Sequence, residues 1–417
     1  MSNSLVTIDM VTREALRIAH ESASFISTTD LQYDDSFAKT GAKIGTALRV
    51  RKPNQYTRTQ GSRVMDVQDQ AEATGTITVA TQDHVDMRFN SAELSLSIDE
   101  ISKRYIEPAV KVLVSGIESD YLAASTKATY NTAGAAGTAI TTLLVPGDAR
   151  AKLNQGLAPK DQNRSVQMGS TTMSTLVNGV AAYFNPSGAI SSQYKEGLVA
   201  RTGMADFYEN ERIWTMTNGD DVAGEIDESA ETNFVQGATL VHMDGLGTAS
   251  TLAVGSVFTW EGLYACHPET KARYPHLQQF TVTAIANPSS NDVDVSFSPA
   301  IYTTGPKKNV VTSAGAEATW TSTGQDGKDI TLIGNASASY PTALMYHKEA
   351  FQFVTADLPL MDDAHKCVRR TQDGLSLRVW QASDIRNDEL LMRIDILYGF
   401  AALRPEWACR MIGAVGA

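Results

Sequence analysis

A chain of 417 residues, 42% of them hydrophobic, holds the material for two or three packed domains. Its formal net charge of −12 excludes a general DNA-binding surface, which needs Lys and Arg to neutralise phosphates. The three cysteines, Cys266, Cys367 and Cys409, make no disulfide framework, and no apolar run reaches the length of a membrane span, so a cytosolic protein without an export signal is expected.

Thr7–Ile26 has helical spacing, with Ile8, Val11, Ala15 and Ile18 on one face; such a helix either packs on its own domain or docks as an arm on another subunit. The period then changes. Ala47–Tyr56 and Gly75–Phe89 alternate like strands around a polar segment, Thr57–Glu72, which describes a long two-stranded excursion. Two strands without a third are marginal in water, so the excursion is expected to lie on something else.

Its charges are segregated. From Ser36 to Met65 the seven charged residues are all basic, Arg49, Arg51, Lys52 and Arg58 among them. From Asp66 to Glu100 eight are acidic, including Glu93, Asp99 and Glu100, and Arg88 alone is basic. Three readings follow: cancellation across the hairpin, complementarity between one copy's basic strand and another copy's acidic segment, or nucleic-acid contact, which the acidic strand undermines.

Ser97–Tyr130 reads as a long helix. Ser97 and Glu100 have capping-box spacing, and Pro108 should kink the helix or mark a junction. Two apolar rows run along it, Ile98, Ile101, Tyr105, Ala109, Val112 and Gly116 beside Ile106, Val110, Leu113, Ile117, Tyr121 and Ala124. They predict contact around much of its girth. Asn131–Thr138 reads as a flexible joint, and Val145–Asn154 and Thr171–Pro186 as short helices.

From Asn218 to Tyr340 the chain is rich in Thr, Ser, Val and Gly. Short strand-like runs recur at Ala238–His242, Val254–Trp260, Phe280–Ile285, Val293–Phe297 and Asp329–Ile333, separated by turn clusters. That pattern predicts a small antiparallel barrel or sandwich inserted into a host domain. Fourteen acidic and five basic residues give it −9 of the chain's −12, which favours a solvent-facing position. Beyond it, Pro341–Val354 reads as a short helix entering a strand, and Ser376–Gln381 and Arg393–Tyr398 as strands.

Catalytic constellations are sparse. Cys266, His267 and His276 supply zinc-type ligands without a fourth, and Asp292 and Asp294 share a strand face that suits a hard cation or plain exposure. Asp362, Asp363, His365 and Cys367 cluster in a polar loop. No catalytic, cofactor or metal site is expected from them.

The C-terminal run Arg393-Ile394-Asp395-Ile396-Leu397-Tyr398-Gly399, followed by Arg404-Pro405-Glu406 and a Gly/Ala tail, resembles the end of the major coat protein of short-tailed enterobacterial phages. Gly255-Ser256-Val257-Phe258-Thr259, continuing into Trp260-Glu261-Gly262, resembles a stretch of that family's inserted domain. The resemblance implies an α+β fold, the tailed-phage major capsid fold named after a Hong Kong phage, with an inserted antiparallel β-barrel. It divides the chain into an N-terminal arm (1–36), an extended loop (37–92), the spine helix of a peripheral domain (93–130), a first axial and peripheral part (131–216), the barrel (217–340) and a return to the host (341–417). Its implied partners are further copies in hexamers and pentamers, a scaffolding protein, a portal and packaged double-stranded DNA, within a virion capsid assembled in the host cytoplasm.

The chain starts at the arm, without a built-in scaffold segment, and shows no clear site for covalent cross-links. A separate scaffold and noncovalent shell contacts are therefore expected. The predicted subunit contact joins Arg49, Arg51, Lys52 and Arg58 of one copy to Glu93, Asp99 and Glu100 of a neighbour. Asp227, Glu228 and Glu231, in the acidic loop Asp220–Glu231, are predicted to bridge adjacent capsomers. The competing reading is a β-rich surface adhesion module, for which the Thr/Ser/Gly-rich insertion speaks and the missing export signal does not.

Overall fold

The computed structural model describes residues 8–34, 47–61, 65, 67–68, 73–90, 102–180, 205–227, 234–247, 252–289, 291–313, 320–361, 366–384, 387 and 389–413. The chain forms two compact units. Met1–Arg51, Thr74–Leu122 and Phe351–Leu403 make the first; Lys52–Ala73, Ala123–Ala350 and Arg404–Ala417 make the second.

The first unit is built on one mixed sheet. Strands β1 (Asp30–Asp34), β17 (Phe351–Ala356), β20 (Glu389–Ala402), β19 (Leu375–Asp384) and β18 (Lys366–Gln372) lie in that order, numbered along the whole chain. Helix α1 (Ile8–Ser22) packs on β18 and β19 and buries Ile8, Val11, Ala15 and Ile18, so of the two expected arrangements the helix takes the intramolecular one. Helix α2 (Phe25–Thr28) follows, and its first backbone amide, on Phe25, donates to the buried carboxylate of Glu118. Glu118 belongs to α3 (Glu107–Ala128), so a side chain far along the sequence satisfies a helix start. Tyr121 of α3 sits among Phe25, Phe353 and Phe400, with ring centroids 4.7, 5.3 and 5.2 Å away.

Helix α3 departs from the expectation in two ways. A single π-helical stretch, Ser102–Ile106, leads into it, so Pro108 falls in the first α-helical turn, where its missing N–H leaves no hydrogen bond unmade. Pro108 thus marks a junction and not an interior kink; the capping box at Ser97 and Glu100 lies outside the described residues. Burial is also one-sided. Ile106, Val110, Leu113, Ile117 and Tyr121 are buried, whereas Val112 is 68% exposed and Gly116 faces solvent.

The hairpin is the larger correction. β2 (Ala47–Lys52) pairs with β3 (Ala73–Thr78), but the run after it splits at Val79 and Ala80. β4 (Thr81–Asn90) leaves the hairpin and pairs antiparallel with β20 through ten residue pairs, from Thr81 opposite Tyr398 to Asn90 opposite Glu389. Leu48, Val50, Ile77 and Val79 pack with Val354, Ala356, Leu358 and Leu397. The root of the excursion is therefore backed by its own chain, and the expectation that it must lie on something else holds at most for what lies beyond the root.

The second unit joins a mixed sheet to a barrel. β5 (Thr132–Ala133), β21 (Ala408–Ile412), β16 (Ser339–His347), β6 (Arg164–Met168) and β7 (Asp206–Glu209) form the sheet, with β8 (Thr215–Thr217) also on β16. Helices α4 (Leu144–Gln155) and α5 (Ser170–Val180) belong to the same unit. The expected joint at Asn131–Thr138 contains β5, which pairs parallel with β21. The helix expected after Pro341 is β16 instead. Six consecutive residues, Thr342–His347, are buried, so the strand lacks the alternation that identifies one-sided strands.

The barrel follows the order β12 (Arg273–Ala286), β13 (Val293–Ile301), β10 (Ala238–Asp244), β9 (Ala223–Ile226), β15 (Asp329–Leu332) and β11 (Val257–Cys266). Pairing of β11 with β12 closes the ring, and β14 (Val310–Thr312) attaches to β11. Phe258, Trp260, Phe280, Phe297 and Trp320 fill the core. Closure leaves no strand edge in the ring to pair with another chain.

Candidate assembly surfaces

The hairpin carries the predicted basic contact. Arg49 and Arg51 are exposed on β2, Lys52 is half-buried, and Arg58 beyond it is exposed. Arg49 and Arg58 make no ion pair among the described residues. Past Lys52 the chain presents large apolar side chains to water: Tyr56 is 54%, Met65 86% and Val67 77% exposed. A mutual amide bridge stiffens this segment, with Thr57 N donating to Gln68 Oε1 at 2.8 Å and Gln68 Nε2 donating to Thr57 O at 2.6 Å.

Polar groups of β4 are answered on β20, not by the basic strand. Tyr398 Oη donates to Asp83 at 2.8 Å, Arg88 pairs with Glu389 at 3.2 Å, and Arg393 lies 3.9 Å from Asp86. Burial and the Asp83 contact hold the Tyr398 phenol well above its ordinary range. Of the acidic residues between Asp66 and Glu100, the described Asp83 and Asp86 are thus met on β20. Glu93, Asp99 and Glu100 lie outside the described residues, as do Glu228 and Glu231. Asp227 is half-buried with its carboxylate 3.6 Å from His242 Nε2.

His267, Asp292 and Asp294, among the metal candidates of the sequence, are engaged in structural contacts. His267 Nδ1 accepts the amides of Glu269 and Thr270 and caps a turn, and Cys266 is buried. Asp294 holds His242 at 2.7 Å and Asn287 at 2.8 Å, while Asp292 faces Ser289. Asp362, Asp363 and His365 lie outside the described residues; Cys367 is half-buried on β18. Among the described residues no group of three His, Cys, Asp or Glu side chains could hold a metal, and no helix is long and apolar enough to cross a membrane.

The two stretches behind the sequence resemblance occupy demanding positions. Residues 393–399 lie on β20, where the fully buried Asp395 accepts from Arg378 at 2.6 Å and also pairs with Arg393. A Cβ on Gly399 would stand 2.3 Å from Thr78 O, so this glycine lets the hairpin root pass. Gly255 has φ +97°, and a Cβ there would meet Lys127 and Trp214 at 2.9 Å. The carbonyl of Gly255 accepts from Arg410, which also donates to Lys127 O at 2.8 Å and Thr281 Oγ1 at 2.9 Å. One buried guanidinium thus ties the C-terminal strand, the barrel and the end of α3. Sequence reading passed over Arg410; its sole signal is a charge within the otherwise apolar run of β21.

Comparison with known proteins bears on the same region. Residues 222–413 match a family model described as "P22 coat protein - gene protein 5". A search of curated proteins gives no match. Among solved structures, a chain from Mycobacterium phage Che8 is similar at 8% identity and TM-score 0.47, over 93% of this chain and 90% of that one. A chain from the capsid of cyanophage P-SCSP1u is similar at 9% identity and TM-score 0.44, over 93% and 87%. A third, from the capsid of Myoviridae phage XM1, gives 10% identity and TM-score 0.40, over 93% and 91%. The coat-protein match covers just under half of the chain and spans the barrel, β20 and the strand bearing Arg410, the segments whose geometry answers to the resemblant motifs.

Proposed function

We propose that this chain is a major capsid protein of the tailed-phage kind and builds its shell by placing the hairpin beyond β2 on a neighbouring copy, with Arg49, Arg51, Lys52 and Arg58 facing that neighbour's Glu93, Asp99 and Glu100. The observation that supports this is the contrast along the excursion. Its root is buried on its own sheet, while Tyr56, Met65, Val67 and Arg58 remain in water. Exposed large apolar groups on a braced projection are the ordinary mark of an association surface. Opposite charges around them steer the encounter and set its register. The protein acts by assembly and not by turnover.

The finer features of this reading are a separate scaffolding protein, assembly in the host cytoplasm, a portal, and DNA packaged without sequence preference inside hexamers and pentamers of this chain. The acidic stretch Asp220–Glu231, with Asp227, Glu228 and Glu231, bridges neighbouring capsomers. The test is co-expression with a candidate scaffold, read by sedimentation and negative-stain microscopy. Arg49→Glu with Arg51→Glu should cut the yield of shells at least tenfold and leave a folded, soluble subunit; undiminished shells would remove the hairpin contact. Neutralising Asp227, Glu228 and Glu231 should lower the temperature at which shells fall apart, and an unchanged temperature would remove the bridge.

A further inference from the structure

Within the second unit an open cleft of about 810 Å³ lies among residues 52–56 at the start of the excursion, the end of α4, the turn between β11 and β12, the segment before β14 and residues 404–407. That is within the range of roughly 300–1,000 Å³ of pockets that bury a ligand. Its charge runs against the chain. Lys152, Lys271, Lys307, Lys308 and Arg404 line it, with Lys52 at its margin, against Glu269 and Glu406. Lys271 is spent on structure, since its ammonium donates to Pro306 O and Lys308 O and so fixes the loop that presents Lys307 and Lys308. The other cations are uncommitted to carboxylates: Lys152, Lys307, Lys308 and Arg404 make no ion pair among the described residues.

The surroundings raise the demand for an anion. Burial holds the Lys152 ammonium below its ordinary range, and burial pushes the Glu406 carboxyl above its own, so the acid on the wall tends toward neutrality. Tyr274 and Tyr302 also line the cleft, and Lys307 lies 5.9 Å over the Tyr302 ring and Arg404 4.1 Å over Trp407. The four uncommitted cations come from three separate segments and stand beside aromatic walls. A compact anion would need them to converge on one point; a chain of spaced carboxylates does not.

We propose that this cleft is a receptor for a short acidic peptide segment of a partner protein chain, its carboxylates meeting Lys152, Lys307, Lys308 and Arg404 and its side chains resting on Tyr274 and Tyr302. This goes beyond the hairpin contact; Lys52 and Tyr56 border both surfaces, and the substituted lysines belong to the cleft alone.

The test uses the full, unassembled chain and a fluorescein-labelled hexaglutamate peptide at low salt, followed by anisotropy. Saturable binding is expected. Lys307→Glu with Lys308→Glu should weaken it at least tenfold, Lys152→Gln at least threefold, and the exposed control Lys160→Glu should leave it unchanged. Thermal melts check that each variant is folded; the two loop lysines are separated from the core, so at least that variant should remain so. Absence of saturation, equal affinity of the loop variant, or displacement of the peptide by an oligothymidylate of equal charge at lower concentration would each overturn the proposal.

Discussion

Arg410 shows how much one side chain can organise. It is fully buried without a carboxylate partner among the described residues, and burial pulls its guanidinium below the ordinary range. Its charge is met by the carbonyls of Gly255 and Lys127, the latter at the negative end of α3, and by the Trp214 face 5.7 Å away. Arg410→Leu should cost about 3 kcal/mol or more, because several acceptors lose a charged donor and gain no water. Urea unfolding reads this, and a loss under about 1 kcal/mol would deny Arg410 that role. His276 argues in the pH dimension. Burial and the nearby Lys152 push it down to about 4, whereas an unfolded histidine titrates near about 6.5. The unfolded chain therefore takes up the proton first, and the stability His276 confers is complete above about pH 6.5 and lost as pH falls toward about 4. His276→Gln should shrink the drop in urea midpoint between pH 7.5 and 4.8; identical drops in variant and parent would exclude the histidine.

Among elements, the barrel strands were the most legible. The five predicted runs fall on β10, β11, β12, β13 and β15, because short alternating stretches between Gly, Pro and Asn clusters carry their own boundaries. β9 and β14 escaped notice, being four and three residues long. β16 escaped because near-complete burial erases alternation. The hairpin was half legible. Arg49, Arg51 and Arg58 stand exposed and Lys52 is half-buried, but nothing in residues 81–90 announces that their partner is β20, almost at the other end of the chain. The division into root and projection is testable by paired substitutions in the unassembled subunit. Ile77→Asp, at a residue 1% exposed, should cost about 3 kcal/mol through an unpaired buried carboxylate, whereas Val67→Asp should change subunit stability by less than about 0.5 kcal/mol. Equal effects would mean that root and projection are not energetically distinct.

For the whole molecule, the α+β class and the inserted barrel were readable because turn clusters and strand-like runs set the barrel off from its host. The proposed subunit contact can be placed on one side alone, since Arg49, Arg51, Lys52 and Arg58 fall in described residues and their proposed acidic partners do not. The cation-lined cleft was not readable at all. Lys152, Lys271, Lys307, Lys308 and Arg404 are dispersed along the sequence, and folding is what gathers them.

The ten-pair ladder between β4 and β20 has a mechanical corollary. Tension drawn along β4 from the projecting segment runs parallel to the strands, so every rung resists together in shear and none is peeled off singly.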